Sequence, residues 1–128
     1  MLEFKATLRV CSETHSLKSL ITAFGESERA YSLGDVVSGR KKTKTYWSKR
    51  SSLPSAENID LHLSELLDFL DLRKSELADM PKDCEMDIFC MLSSNNGQGG
   101  AILSSKVLKR LSSHDVNLVL DVYCEDLE

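Results

Sequence analysis

The chain has 128 residues, 41% hydrophobic and 28% charged, with a formal net charge of −4. This is ordinary for one globular domain large enough to bury a core without staples. It excludes a strongly basic nucleic-acid binder, a disulfide-rich miniprotein and a low-complexity chain.

Residues 2–10 alternate strictly. Leu2, Phe4, Ala6, Leu8 and Val10 point one way and Glu3, Lys5, Thr7 and Arg9 the other, which predicts a half-buried strand. The absence of an apolar leader segment here points to a cytosolic protein rather than a secreted one. Leu17, Leu20, Ile21 and Phe24 then recur at helical spacing, with Ser12 or Thr14 as the expected cap and Gly25 as the stop. Residues 26–53 read as a pair of short strands forming a hairpin, with glycines at 34 and 39 between apolar pieces. A helix is expected over residues 56–71, with Ile59, Leu63, Leu66, Leu67 and Leu70 on its apolar face. A short helical turn, "KSELADM", follows and ends at Pro81. "CEMDIFCMLSS" reads as a strand buried on both sides in its second half, with Cys84, Met86, Ile88, Cys90 and Leu92 sharing one face. "SSNNGQGG" is a loop, and Ser104 or Ser105 caps a helix carrying Val107, Leu108 and Leu111. "VNLVLDVY" is the last strand, with Val116, Leu118, Leu120 and Val122 on one face. The expected fold is a single α+β domain over residues 1–128. It holds a mixed or antiparallel sheet of about five strands and three or four helices, mainly on one face.

Two charged features stand out. "RKKTKTYWSKR", residues 40–50, holds six of the sixteen basic residues and no acid, so the remainder of the chain is strongly anionic. Arg40, Lys41, Lys42, Lys44, Lys49 and Arg50, with Tyr46 and Trp47 between them, are candidate phosphate and base contacts. On a strand, however, Tyr46 and Trp47 point to opposite faces and cannot form one stacking platform. A core Trp47 on a short strand is the favoured reading. The second feature is the stripe of Glu57, Asp60, Asp68 and Asp71 on the 56–71 helix, four acids without a base. It reads either as a solvated face or as a docking surface for a basic partner.

Reactive chemistry has little local support. "NNGQGG" matches neither a P-loop nor a dinucleotide fingerprint. The four cysteines form no CxxC pair and His15, His62 and His114 have no ligand spacing to them, so neither a metal nor another cofactor is expected. Cys84 and Cys90 are expected to be buried and inert, and no GxSxG elbow accompanies the serines. No run of residues is long and apolar enough to span a membrane.

Several stretches together resemble the bacterial domain-of-unknown-function family 4279. They are "FKATLRV", "LITAFG", "YSLGD" with a basic stretch and "YW" after it, "NIDLHLSELLDFL", and "ILSSKVLKRLSSHDVNLVLDVY". The resemblance spans nearly the whole chain, departing in the long basic stretch before Trp47 and the polar loop at 93–100. The resemblance implies a small α+β domain with no assigned catalytic residue, and some relatives that accompany polymorphic toxins.

The leading expectation is therefore a non-enzymatic, cytoplasmic binding protein. Its most concrete form is an immunity protein that neutralises a cognate toxin by covering its active surface. Glu57, Asp60, Asp68 and Asp71 would meet a basic toxin patch. The alternatives are nucleic-acid binding through the 40–50 stretch, and a small-molecule binder or enzyme with a pocket between sheet and helices.

Overall fold

The computed structural model describes residues 2–78 and 83–124. The elements are β1 (Leu2–Ser12), α1 (Leu17–Phe24), β2 (Arg29–Tyr31), β3 (Val36–Val37), β4 (Arg40–Lys41), β5 (Thr45–Arg50), α2 (Ile59–Asp71), α3 (Lys74–Ala78), β6 (Glu85–Ser94), α4 (Ser105–Ser113) and β7 (Asn117–Cys124). Five strands form one sheet in the order β2-β5-β1-β6-β7. β1 pairs antiparallel with both β5 and β6, while β6 and β7 run parallel. A parallel pair needs a crossover, and α4 supplies it. The domain is thus α+β, as expected, and of the two sheet types left open, mixed or antiparallel, it is the mixed one.

The strict alternation of β1 becomes one dry face and one open face. Phe4, Ala6, Leu8 and Val10 are buried, and the register places them beside Trp47 of β5 and Ile88, Cys90 and Leu92 of β6. Leu20 and Phe24 of α1, the Ile59–Leu70 stripe of α2 and Val107 and Leu111 of α4 close over that same face. At about 1.5–3 kcal/mol for each fully buried large apolar side chain, this layer is the main source of stability. Among the described residues, no helix lies on the opposite face of the sheet.

Several boundaries differ from the sequence reading, each for a local reason. β1 continues to Ser12, whose hydroxyl is engaged beyond the sheet, so Ser16 caps α1 instead; its Oγ accepts the Ser19 N–H at 3.1 Å. α2 starts at Ile59 because residues 54–57 close a separate turn, from the Glu57 N–H to the Pro54 carbonyl. The hairpin of residues 26–53 is β2 paired with β5, and between them a smaller ribbon, β3–β4, is inserted. Ser38 and Gly39, both at positive φ, form its two-residue turn. Pro81, the expected stop after "KSELADM", lies outside the described residues.

Candidate binding face

The side chains opposite the core alternate outward along each strand. Lys5, Thr7, Arg9 and Cys11 of β1 stand beside Arg50, Ser48 and Tyr46 of β5, and beside Met91, Phe89, Asp87 and Glu85 of β6. β2 extends the row with Arg29 and Tyr31. The face is concave, with a hollow of about 330 Å³ ringed by Lys5, Arg9, Arg29 and Arg50 against a single acid, Glu28. A second hollow of about 460 Å³ continues it toward Tyr31, Glu85 and Asn117.

The floor of this face is ordered by its own contacts. Arg9 makes a two-pronged ion pair with Asp87, both hydrogen bonds 2.7 Å, and its guanidinium lies 4.7 Å from the Phe89 ring centre. Tyr31 and Tyr46 stack at 5.0 Å between centroids, with Lys42 over the Tyr31 ring. Aromatic side chains, Met91 and arginines are the residue types concentrated in protein interfaces. Here they are half-exposed, on a surface that no helix covers among the described residues.

The basic run of residues 40–50 does not stay together. Arg40 and Lys41 are exposed on the β3–β4 ribbon, Lys42 sits on Tyr31, and Lys44 pairs with Glu85 at 3.6 Å. Lys49 turns to the helix side and covers the Phe69 ring, while Arg50 joins the open face. The strand pleat is the cause, since it sends neighbouring side chains to opposite surfaces. Trp47 is fully buried, its Nε1–H donates to the Gly25 carbonyl at 2.8 Å, and its ring stacks on Phe69 and meets Phe24 at a tilt.

The acidic stripe of α2 is mostly engaged within the chain. Asp60 accepts the Ser104 N–H at 3.1 Å and so holds the start of α4. Asp68 and Asp71 both bind Arg110, and Asp71 also binds His114 Nε2 at 2.7 Å. The hydrogen bond from His114 and the Arg110 guanidinium hold the Asp71 carboxyl below its ordinary range. Glu57 is exposed before the helix.

One buried polar cluster resembles a catalytic trio but is wired differently. Ser51 Oγ donates to Glu65 Oε2 at 2.9 Å and lies 2.8 Å from His62 Nδ1. A serine nucleophile needs its proton directed at the imidazole, and here that proton belongs to the carboxylate. Burial pushes Glu65 upward, but hydrogen bonds from the Ser52 and Ser51 hydroxyls and the Ser52 N–H outweigh it and lower its pKa. Burial raises the Cys11 and Cys84 thiols and pushes Cys90 up to about 12, so none of these three is activated.

A small α+β domain with helices on one sheet face and an exposed, arginine- and aromatic-bearing other face is the class these features define. The family model described as Domain of unknown function (DUF4279) matches residues 2–125, and the chain belongs to that family. No curated protein and no solved structure matches it. No helix among the described residues is long and apolar enough to cross a membrane.

The sequence reading missed this face as a unit. Its signal was present in the outward half of β1, where Lys5 and Arg9 alternate with the core residues. Arg29, Arg50 and Phe89 join them only through strand pairing.

Proposed function

We propose that this chain is a non-enzymatic binding protein that docks a protein partner on the uncovered face of its sheet. Neutralising a cognate toxin, as an immunity protein of a bacterial cytoplasm does, is the most concrete form of that role. The observation that supports it is the concave surface of Arg9, Arg29, Arg50, Tyr46 and Phe89, which offers anchor residues around a hollow. A protein is favoured over a nucleic acid because Asp87 and Glu85 share this face and the whole chain carries −4. A polyanion would be attracted only at this hollow and repelled by the anionic remainder of the chain, whereas a mixed-charge protein surface would not.

The test is co-purification with the product of the neighbouring gene, together with growth rescue when that product is toxic. The double substitution Arg29→Glu/Arg50→Glu should abolish both while leaving the unfolding midpoint nearly unchanged. Capture that survives this change but is lost in Glu57→Lys/Asp68→Lys would move the interface to α2. Steeply salt-dependent retardation of single-stranded DNA or RNA, also lost in the arginine variant, would replace the protein partner by a nucleic acid.

A further inference from the structure

β1 leaves the sheet at Ser12 just where β6 begins, because Cys11 pairs with Glu85. The turn after β1 therefore meets the two residues before β6, although Ser12 and Asp83 are 71 positions apart. Asp83 Oδ2 accepts the Ser12 hydroxyl at 3.0 Å, the Thr14 hydroxyl at 2.6 Å and the Thr14 N–H at 3.2 Å. Ser12 Oγ in turn accepts the His15 N–H at 2.9 Å. These bonds lock one carboxylate oxygen and turn the other, Oδ1, toward His15 Nε2.

Those two atoms do not bond each other. They stand 3.9 Å apart, and both are shielded from solvent without a hydrogen-bond partner. A simple His–Asp contact closes further, as His114 and Asp71 do at 2.7 Å in this same chain. Cys84 supplies the third group: one ligand atom from each of His15, Asp83 and Cys84 lies within 4.8 Å of the other two. Around a tetrahedral zinc ion with bonds of about 2.0–2.3 Å, neighbouring ligand atoms stand about 3.3–3.8 Å apart. The observed spacing needs to contract by well under the length of a bond.

We propose that His15 Nε2, Asp83 Oδ1 and Cys84 Sγ form a binding site for one divalent ion of the zinc class. Imidazole nitrogen with thiolate sulfur selects such borderline ions and disfavours calcium or magnesium. Cys84 coordinates as the thiolate, and its proton passes to solvent as the ion binds. Ser12 and Thr14 act as positioning residues that hold the carboxylate. Three protein ligands leave a fourth position for water or for a side chain of a docked partner.

The probe is cobalt(II), titrated into the reduced, chelator-treated full chain and then displaced by zinc(II). One equivalent should produce the visible absorption of tetrahedral cobalt and a thiolate-to-cobalt charge-transfer band, both erased by one equivalent of zinc. Cys84→Ser should lose the charge-transfer band, His15→Gln should lose the tetrahedral spectrum, and Ser12→Ala should weaken binding about ten-fold or more. Cys11→Ser should change nothing. Near-UV circular dichroism of Trp47 checks that each variant is folded. Absence of the cobalt spectrum at millimolar metal overturns the site, and so does a charge-transfer band that persists in folded Cys84→Ser.

Discussion

Trp47 couples three parts of the core at a single residue. Its ring packs against Phe24 of α1 and Phe69 of α2, and its N–H satisfies the carbonyl of Gly25, which ends α1 at positive φ. Trp47→Ala should cost about 3–5 kcal/mol, read as a lowered midpoint in urea. As the only tryptophan, it should emit at blue-shifted wavelengths that added DNA does not change. Glu65 offers a second test. Its folded pKa lies below the ordinary 4.5, so its stabilisation is complete above that value and is lost as pH falls through the folded value. Glu65→Gln should therefore weaken the protein at neutral pH by about 1 kcal/mol, since solvent screens a carboxylate this exposed, and flatten its stability profile below pH 4.5, measured by urea unfolding at each pH. The burial of Trp47 was legible in the sequence because its neighbours alternate. The partner of Glu65 was not, since Ser51 and Ser52 reach it from the far side of a Pro-containing turn.

At the scale of elements, the acids of α2 work as a joint to α4. Asp60 holds the N-terminal end of α4, where a negative charge is favourable, and Asp71 and Asp68 hold Arg110 and His114 near its other end. Asp60→Ala should cost about 1 kcal/mol in urea unfolding. Arg110→Ala should cost less, because Asp68 is 69% exposed and screened. Raising salt should shrink the second effect more than the first. The helices themselves were legible, since a 3.6-residue period reports one buried stripe. What the polar stripe touches was not, because the period is the same whether the acids meet solvent, a partner or a second helix.

At the scale of the molecule, the layered plan followed from adding up single faces: β1, β6, α1, α2 and α4 each carry an apolar side, and one sheet face buries them together. The strand order did not follow. Strict alternation in β1 is compatible with an edge or a centre, and only the pairing with β5 and β6 puts it in the middle. The same gap hid the open face and the His15–Asp83–Cys84 cluster, in which His15 is brought to the adjacent pair Asp83 and Cys84 by the β1–β6 pairing. Reversing charge at Arg29 and Arg50 should change global stability by no more than about 0.5 kcal/mol, as for surface sites outside the core. Thermal and urea unfolding of the double variant would show whether the concave face is spared from holding the fold together.

The central place of β1 has a kinetic consequence. Among the described strands of this sheet β1 is made before the others, and both halves of the sheet assemble on it, yet Leu8 must wait for Lys49 and then Ile88 before its ladder is complete. Closing such distant pairings is slow, so refolding should fall in the millisecond-to-second range typical of non-local sheets. Stopped-flow refolding should show Leu8→Ala slowing the folding limb, whereas Val122→Ala on the edge strand should leave it almost unchanged. A nascent chain halted before β6 emerges would display β1 with one unpaired side, a natural foothold for chaperones.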